Sequence, residues 1–331
     1  MSQRVRWGVL STSNIGRVAV NPAIQKSRNG ELHAVASRDL GRAQEFAAAA
    51  HIPVTYGSYR ELLEDAAIQA VYIPLPNSLH REWTIRAAEQ GKHILCEKPL
   101  ALSEKECREM ESAATANGVQ LMEAFMYRFH PRTQRVIQLV RAGTIGQPRM
   151  IRSSFSFRLS NRSNIRLDKE LGGGALMDVG CYCVNVSRTL AGQEPIEIQA
   201  IARMGPSQVD EELVGTFRFP DGLLAQFDCA LTLERREEFE IAGPLGSLVV
   251  PSAFLPGTDD TSIQHRKGRA GISQETVPGA DQYQLMVEHF ADCVLNPHAP
   301  LYPASEAAQN MRVIEALYRS ANAGGQVVKL S

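Results

Sequence analysis

Apolar and polar positions along the first 125 residues follow two alternating periods. Short apolar runs suited to buried strands occur near residues 5–10, 32–37, 70–75, 93–96 and 119–122. Helical stretches lie between them, near 15–25, 41–50, 59–65, 79–90 and 104–117. Ser58-Tyr-Arg-Glu61 and Ser103-Glu-Lys-Glu106 fit the capping box, which marks two helix starts. Asn117-Gly118 supplies a helix stop. Strand–helix alternation with short links predicts a parallel sheet covered on both faces, and right-handed crossovers make it doubly wound.

The pattern changes after about residue 126. One helical stretch at 133–142 is followed by Gly143, Gly146 and Pro148. Long alternating runs then appear at 149–158, 196–204, 213–219 and 223–231. Pro220-Asp221-Gly222 joins the last two, a strong hairpin signal. Residues 251–280, rich in Pro, Gly, Thr and Asp, read as a long surface loop, and helices near 282–295 and 304–323 finish the chain. The expected fold class is α/β: a dinucleotide-binding, doubly wound domain over 1–125, then a substrate-binding α/β domain over 126–331 with a large, mostly antiparallel open sheet.

A length of 331 residues accommodates two such domains and a substantial core. Lys plus Arg is 35 against 36 Asp plus Glu, a balance that lacks the basic surplus of a dedicated nucleic-acid binder. Six cysteines are too few for a disulfide scaffold at this length, and none forms a C-x-x-C pair, so they read as reduced thiols with no zinc site. Cys181 and Cys183 would share one face of a strand but not of a helix. The first residues run straight into a strand without a signal-peptide core, and no apolar run approaches the roughly 18 residues of a membrane span. A cytoplasmic protein is expected.

Candidate chemistry begins at the first strand's end, Ser11-Thr12-Ser13-Asn14-Ile15-Gly16. Serines stand where a G-x-G-x-x-G fingerprint has its first two glycines, and Gly16 keeps the close-packing position. Serine still permits backbone approach to a pyrophosphate, and the following helix N-terminus favours an anion. The second strand ends in Ser37-Arg38-Asp39, with Arg42 shortly after. Ser37, Arg38 and Arg42 suit a 2′-phosphate and hence NADP; Asp39 keeps NAD possible. Two further strands end in polar residues, Pro74-Leu75-Pro76-Asn77-Ser-Leu-His80 and Glu97-Lys98-Pro99. Ligands of open α/β sheets bind at such carboxyl ends.

These segments, together with Gly172-Gly-Gly-Ala-Leu-Met-Asp178-Val-Gly-Cys-Tyr182, resemble the Gfo/Idh/MocA family of nicotinamide-dependent oxidoreductases over nearly the whole chain. The resemblance implies a Rossmann domain, then an open-sheet domain that dimerises sheet to sheet. It also implies hydride transfer between NAD(P) and a hydroxyl or carbonyl carbon, usually of a sugar. Many members carry His where this chain has Tyr182. The tyrosine form resembles the branch with glucose–fructose oxidoreductase, D-xylose dehydrogenases and dihydrodiol dehydrogenases.

Hydride transfer needs a proton donor or acceptor for the substrate oxygen. A free tyrosine, pKa about 10, is a poor base near neutrality, and a nearby ammonium lowers that value. Lys98 is the expected ammonium, Tyr182 the proton carrier, and Asp178, four residues before Tyr182, orients Lys98 or the substrate hydroxyl. The cofactor set is Ser11, Thr12, Ser13, Asn14, Ile15, Ser37, Arg38, Arg42, Pro74, Leu75, Asn77, His80, Glu97 and Lys98. His80 either contacts the cofactor or caps a helix. Tyr127, Asn164, Arg166, Asp178 and Tyr283 are the substrate-binding candidates, and His130 reads as structural. Trp7 and Trp83 read as packing residues.

The expected activity is NADP-preferring oxidation or reduction of a sugar-like substrate by a homodimer or dimer of dimers, with no nucleic-acid or membrane partner. The rivals are a trans-dihydrodiol dehydrogenase and a non-catalytic dinucleotide-binding sensor. Retention of both Lys98 and Tyr182 speaks against the sensor.

Overall fold

The structure is a computed structural model that describes residues 3–268 and 271–330. Two compact units are present. The first is built on six parallel strands: β1 (Val5–Leu10), β2 (Gly30–Ala36), β3 (Val54–Tyr56), β4 (Ala70–Ile73), β5 (His93–Cys96) and β6 (Leu121–Glu123). Their order is β3-β2-β1-β4-β5-β6, so the connections reverse direction between β1 and β4. The carboxyl ends of those two strands form the crevice where such sheets bind ligands. The crossover helices are α1 (Asn21–Lys26), α2 (Leu40–Ala50), α3 (Tyr59–Glu64), α4 (His80–Glu89) and α5 (Glu104–Ala116). Ser58 and Ser103 cap α3 and α5 as the capping boxes require, accepting from the Glu61 and Glu106 amides.

The second unit carries a nine-stranded sheet. After α6 (Pro131–Arg141) and β7 (Met150–Ser156), the helix α7 (Cys181–Ala191) precedes β8 (Glu197–Met204), β9 (Asp210–Arg218) and β10 (Leu224–Ala230). Then follow β11 (Arg236–Gly243), β12 (Gly246–Pro251), β13 (Thr261–Arg266) and β14 (Ile272–Val277). The helices α8 (Gln282–Leu295) and α9 (Ala304–Asn322) lead to β15 (Val328–Lys329). The sheet order is β14-β13-β12-β11-β7-β10-β9-β8-β15, antiparallel except between β7 and β10. Alternation sets the faces. In β9, Leu213 and Phe217 are buried while Val214, Thr216 and Arg218 face solvent.

Three expectations need correction. Residues 251–280 are not one long loop: β13 and β14 form a hairpin there at the sheet's end. Both strands are mostly polar, and an end strand can place polar side chains on either face, so the apolar period is missing. The stretch near 15–25 is not one regular helix, because a π-helical turn at Gly16–Val20 precedes α1. The segment 281–309 joins the first unit, leaving 127–280 and 310–331 in the second, so 126–331 is not one undivided domain. The physical reason is packing. Phe290 of α8 lies 5.5 Å from Trp7 of β1, and Arg28 pairs with Glu288 and Asp292.

Cys181 and Cys183 lie on α7 rather than on a strand, and all six cysteines are buried free thiols. Among the described residues no helix is long and apolar enough to cross a membrane, and no group of His, Cys, Asp or Glu could hold a metal ion.

Candidate active site

The turn after β1 has the geometry that glycine usually supplies. Ser11 sits at φ 133°, and its amide donates to the Ala36 carbonyl at 3.0 Å. Ser13 Oγ accepts from the Gly16 amide at 3.1 Å, which closes the turn onto the helix start. A side chain at Gly16 would press on that hydroxyl. Thr12 and Ser13 are half-buried and Asn14 is exposed at the helix's amide end. A tight turn of small residues, a helix N-terminus and the sheet's switch point together fit a dinucleotide pyrophosphate.

At the end of β2, Ser37 is buried while Arg38 and Arg42 are exposed. Asp39 Oδ1 accepts from the Arg42 amide at 3.0 Å and caps α2. One oxygen of the carboxylate that keeps NAD possible thus caps its own helix, and Arg38 and Arg42 are exposed beside it.

The ends of β4 and β5 form one connected cluster. Tyr72 donates to Glu97 Oε1 at 2.6 Å, and burial with the Glu97 charge pushes the Tyr72 phenol well above its usual range. The Lys98 amide donates to Glu97 Oε2 at 3.3 Å, and the Lys98–Pro99 peptide is cis. Glu123 of β6 accepts from the Leu100 amide at 2.7 Å. Asn77 opens a short 3-10 turn and stays half-buried, whereas Pro74 and Leu75 are buried.

His80, expected either to contact the cofactor or to cap a helix, lies behind the β5 turn. It has no exposed surface, and its ring nitrogens lie 3.0 Å from the Pro99 carbonyl and 2.8 Å from the Leu75 carbonyl. Burial lowers its pKa to about 4 against the pull of those carbonyls, so it is neutral at pH 7 and donates to one of them. The ring braces the Glu97-Lys98-Pro99 turn from behind. Tyr283 lies on α8 of the first unit and is half-buried.

In the second unit the glycine run explains itself sterically. A Cβ at Gly173 would lie 2.5 Å from the Arg166 carbonyl oxygen, and one at Gly174 (φ 126°) would collide with Asp210 Oδ1. The close approach lets the Gly174 amide donate to the Arg166 carbonyl at 2.9 Å. Arg166 Nε donates to Asp178 Oδ2 at 2.6 Å, and Asn164 Oδ1 accepts from the Arg166 amide at 3.0 Å. Asn164, Arg166 and Asp178, picked separately from the sequence, are therefore one network. Asp178 lies in a π-helical turn (Leu176–Gly180) that runs into α7.

Tyr182 follows on α7 with 5 % exposure. Its ring is wedged among Tyr127, Phe155 and Phe254, at centroid distances of 5.9, 5.3 and 5.3 Å. Tyr127, a substrate-binding candidate, lies beneath Tyr182. It is fully buried and donates to Asn185 Oδ1 at 2.6 Å, so it buttresses Tyr182. His130 caps α6 by accepting from the Arg132 amide, and burial lowers its pKa to about 4. Lys98 belongs to the first unit, Asp178 and Tyr182 to the second.

Two contributors are invisible to sequence reading. Tyr72 sits inside a buried strand pattern. Asp210 begins an acidic run that looks like solvated surface, yet it is 1 % exposed and accepts from the Leu176 amide and the Tyr318 hydroxyl. Only the glycines opposite it hint at a close neighbour.

Residues 5–125 match the Gfo/Idh/MocA oxidoreductase family, with its NAD-binding Rossmann fold, and residues 133–249 match the family's C-terminal domain. The chain is 38 % identical to D-xylose 1-dehydrogenase (NADP(+)) 2 of Haloferax volcanii, over 97 % of this chain and 98 % of that one. It is 33 % identical to mouse trans-1,2-dihydrobenzene-1,2-diol dehydrogenase over 76 % of both chains. The aldose-aldose oxidoreductase of Caulobacter crescentus superposes with a TM-score of 0.91 at 27 % identity, covering 99 % of this chain and all of that one. KijD10, a 3-ketoreductase of Actinomadura kijaniata solved with NADP, superposes with a TM-score of 0.91 at 27 % identity, covering 96 % of this chain and 98 % of that one. By its matched domains and relatives over nearly its full length, the chain belongs to the Gfo/Idh/MocA family and is an NAD(P)-dependent oxidoreductase.

Proposed function

We propose that this protein oxidises a sugar or sugar-like alcohol with NADP, and runs the reverse reduction, using Tyr182 as the proton carrier. The observation that carries the reading is the Asn164–Arg166–Asp178 network one helical turn before a tyrosine held by three aromatic rings. A polar network beside an immobilised phenol suits a hydroxylated substrate better than an apolar one.

Bound NADP supplies the hydride acceptor or donor. In the oxidative direction the Tyr182 phenolate takes the proton from the substrate hydroxyl. The Lys98 ammonium favours that phenolate and hydrogen-bonds the substrate oxygen. Arg166, aligned by Asp178, donates to neighbouring hydroxyls. Ser11, Thr12, Ser13, Asn14 and Ile15 hold the pyrophosphate, Arg38 and Arg42 the 2′-phosphate, and Asn77 and Glu97 orient the nicotinamide side. KijD10, a 3-ketoreductase solved with NADP, supports NADP as the cofactor. The Haloferax relative supports D-xylose as the first sugar to try.

A screen at the nicotinamide absorbance band tests the reading, with aldoses, ketoses and aromatic trans-diols against NADP and NAD. Turnover of an aldose with NADP is expected. Turnover confined to aromatic diols would favour the dihydrodiol reading that the mouse relative suggests.

Assembly through the open face of the nine-stranded sheet belongs to the same proposal. Ile201 and Val214 are 66 % and 56 % exposed there, beside the Arg203–Glu212 pair. A cytoplasmic homodimer, or a pair of such dimers, would cover them. Light scattering at micromolar concentration should give at least twice the monomer mass.

A further inference from the structure

We infer that Asp210 is a positioning residue of the active site: its carboxylate caps the helical run that begins at Ala175 and so fixes the turn carrying Asp178 and Tyr182. This rests on the roles proposed above for those two residues.

The first amides of a helix have no partner within it, and a buried helix end must find one elsewhere. Here Asp210 Oδ2 accepts from the Leu176 amide at 2.7 Å. Oδ1 accepts from the Tyr318 hydroxyl of α9 at 2.8 Å. A carboxylate at an amide terminus also meets the positive end of the helix dipole.

The local chain is shaped for this contact. The register of β8 and β9 slips between Arg203 and Met204, so Met204 pairs with Asp210 and Arg203 with Glu212. One extra residue on β9 turns both Asp210 and Glu211 inward, against the strict alternation that follows. Gly174 then leaves room for the carboxylate. At Gly180, one turn on, a Cβ would lie 2.7 Å from Cys229 Sγ of β10, so the helix end is pinned from a second side. The turn between these contacts holds Asp178.

Two groups beside Asp210 are neutral near pH 7. Tyr318 of α9 and Cys229 of β10 are both buried, with pKa values pushed well up by burial. Cys181 and Cys183 of α7 and Asp228 of β10 also bear on that cluster, and Glu211 is paired with Arg162.

The test compares Asp210→Ala, Asp210→Asn and Tyr318→Phe. Asparagine can keep both contacts, its oxygen accepting from Leu176 and its amide donating to the Tyr318 oxygen. Amide hydrogen exchange by mass spectrometry is read on peptides spanning 172–184, and kinetics are read with NADP and D-xylose or the best aldose of the screen. We expect Asp210→Ala to speed exchange at 175–180 and to lower kcat by tenfold or more, with the KM for NADP unchanged. Asp210→Asn should restore kcat to within threefold. Tyr318→Phe should give a smaller rise in the same exchange and a few-fold loss of kcat. If Asp210→Ala fails to fold, Tyr318→Phe and Asp210→Asn decide.

Unchanged exchange at 175–180 in Tyr318→Phe and in any folded Asp210→Ala protein would overturn the proposal. So would an Asp210→Asn protein as impaired as Asp210→Ala. Faster exchange with kcat unchanged would leave Asp210 a structural cap and overturn its positioning role, whereas the role of Tyr182 is judged separately by Tyr182→Phe, which separates this inference from the reading it rests on.

Discussion

Arg166 joins two parts of the site at once: its Nε donates to Asp178 Oδ2 at 2.6 Å, and its carbonyl accepts from the Gly174 amide at 2.9 Å. The carbonyl contact survives any side-chain change, so Arg166→Ala isolates the guanidinium. The Arg166 side chain is 40 % exposed, and exposed ion pairs contribute at most about 1 kcal/mol. Thermal stability should therefore barely move. The substrate KM should rise about tenfold, the equivalent of one lost charge-assisted hydrogen bond at ~1.4 kcal/mol. Steady-state kinetics beside a melting curve check both halves.

Ser11 occupies a backbone conformation that favours glycine. Such a residue costs roughly 1–3 kcal/mol. Ser11→Gly should stabilise the protein by about 1 kcal/mol, reduced by the extra freedom glycine gains when unfolded. Ser11→Ala keeps the Cβ and should not. Chemical denaturation distinguishes the two. Equal effects would mean that the serine side chain, not its backbone, governs the turn.

Asp39 Oδ1 is engaged by its helix cap, and the proposed NADP preference rests on Arg38 and Arg42. Hydrogen bonds to charged groups contribute about 1.5–3 kcal/mol each. Replacing both arginines by alanine should weaken NADP binding at least tenfold and leave NAD within about threefold, as read by calorimetric titration. Raising the ionic strength should erode NADP affinity in the native protein and much less in the variant.

Asp210 gives stability a pH dependence of defined sign. Burial raises its pKa from 3.8 to about 6. A carboxylate raised in the folded state adds stability that is full below about pH 4 and lost as pH rises through about 6. The span corresponds to about 3 kcal/mol. Relative to Asp210→Asn, the native protein should lose stability between pH 4 and 7 and then run parallel. Denaturant titrations at four pH values suffice. A constant difference would show that Asp210 titrates normally.

The parallel sheet was legible because buried strands and capped helices leave strong local periods, as at Ser58 and Ser103. The β13–β14 hairpin was not, since strands at the end of a sheet need no apolar face. Nor was the return of α8 to the first unit, which depends on Trp7 meeting Phe290 across some 280 residues of chain. At the site, the family resemblance and the residues before the glycine run picked out Asn164, Arg166, Asp178 and Tyr182, and hydrogen bonds join the first three. They did not reveal that Tyr127 and His80 lie behind the surface as braces. Polarity alone cannot tell a ligand contact from a satisfied buried group. Asp210 was hidden by a bulge, a register slip that no single-strand pattern records.

In the proposed reaction Tyr182 carries the proton and Lys98 tunes it, and a double-mutant cycle in kcat puts that pairing to the test. Tyr182→Phe and Lys98→Met should each lower kcat by about 10²–10⁴, as expected for loss of general acid–base catalysis. The double variant should be little worse than either single, because residues acting as a unit are not additive. In the oxidative direction the native kcat should rise with pH through one apparent pKa, which Lys98→Met moves upward or abolishes. Tyr182→Phe retaining most activity while Lys98→Met is inactive would contradict the account and make the lysine the proton carrier.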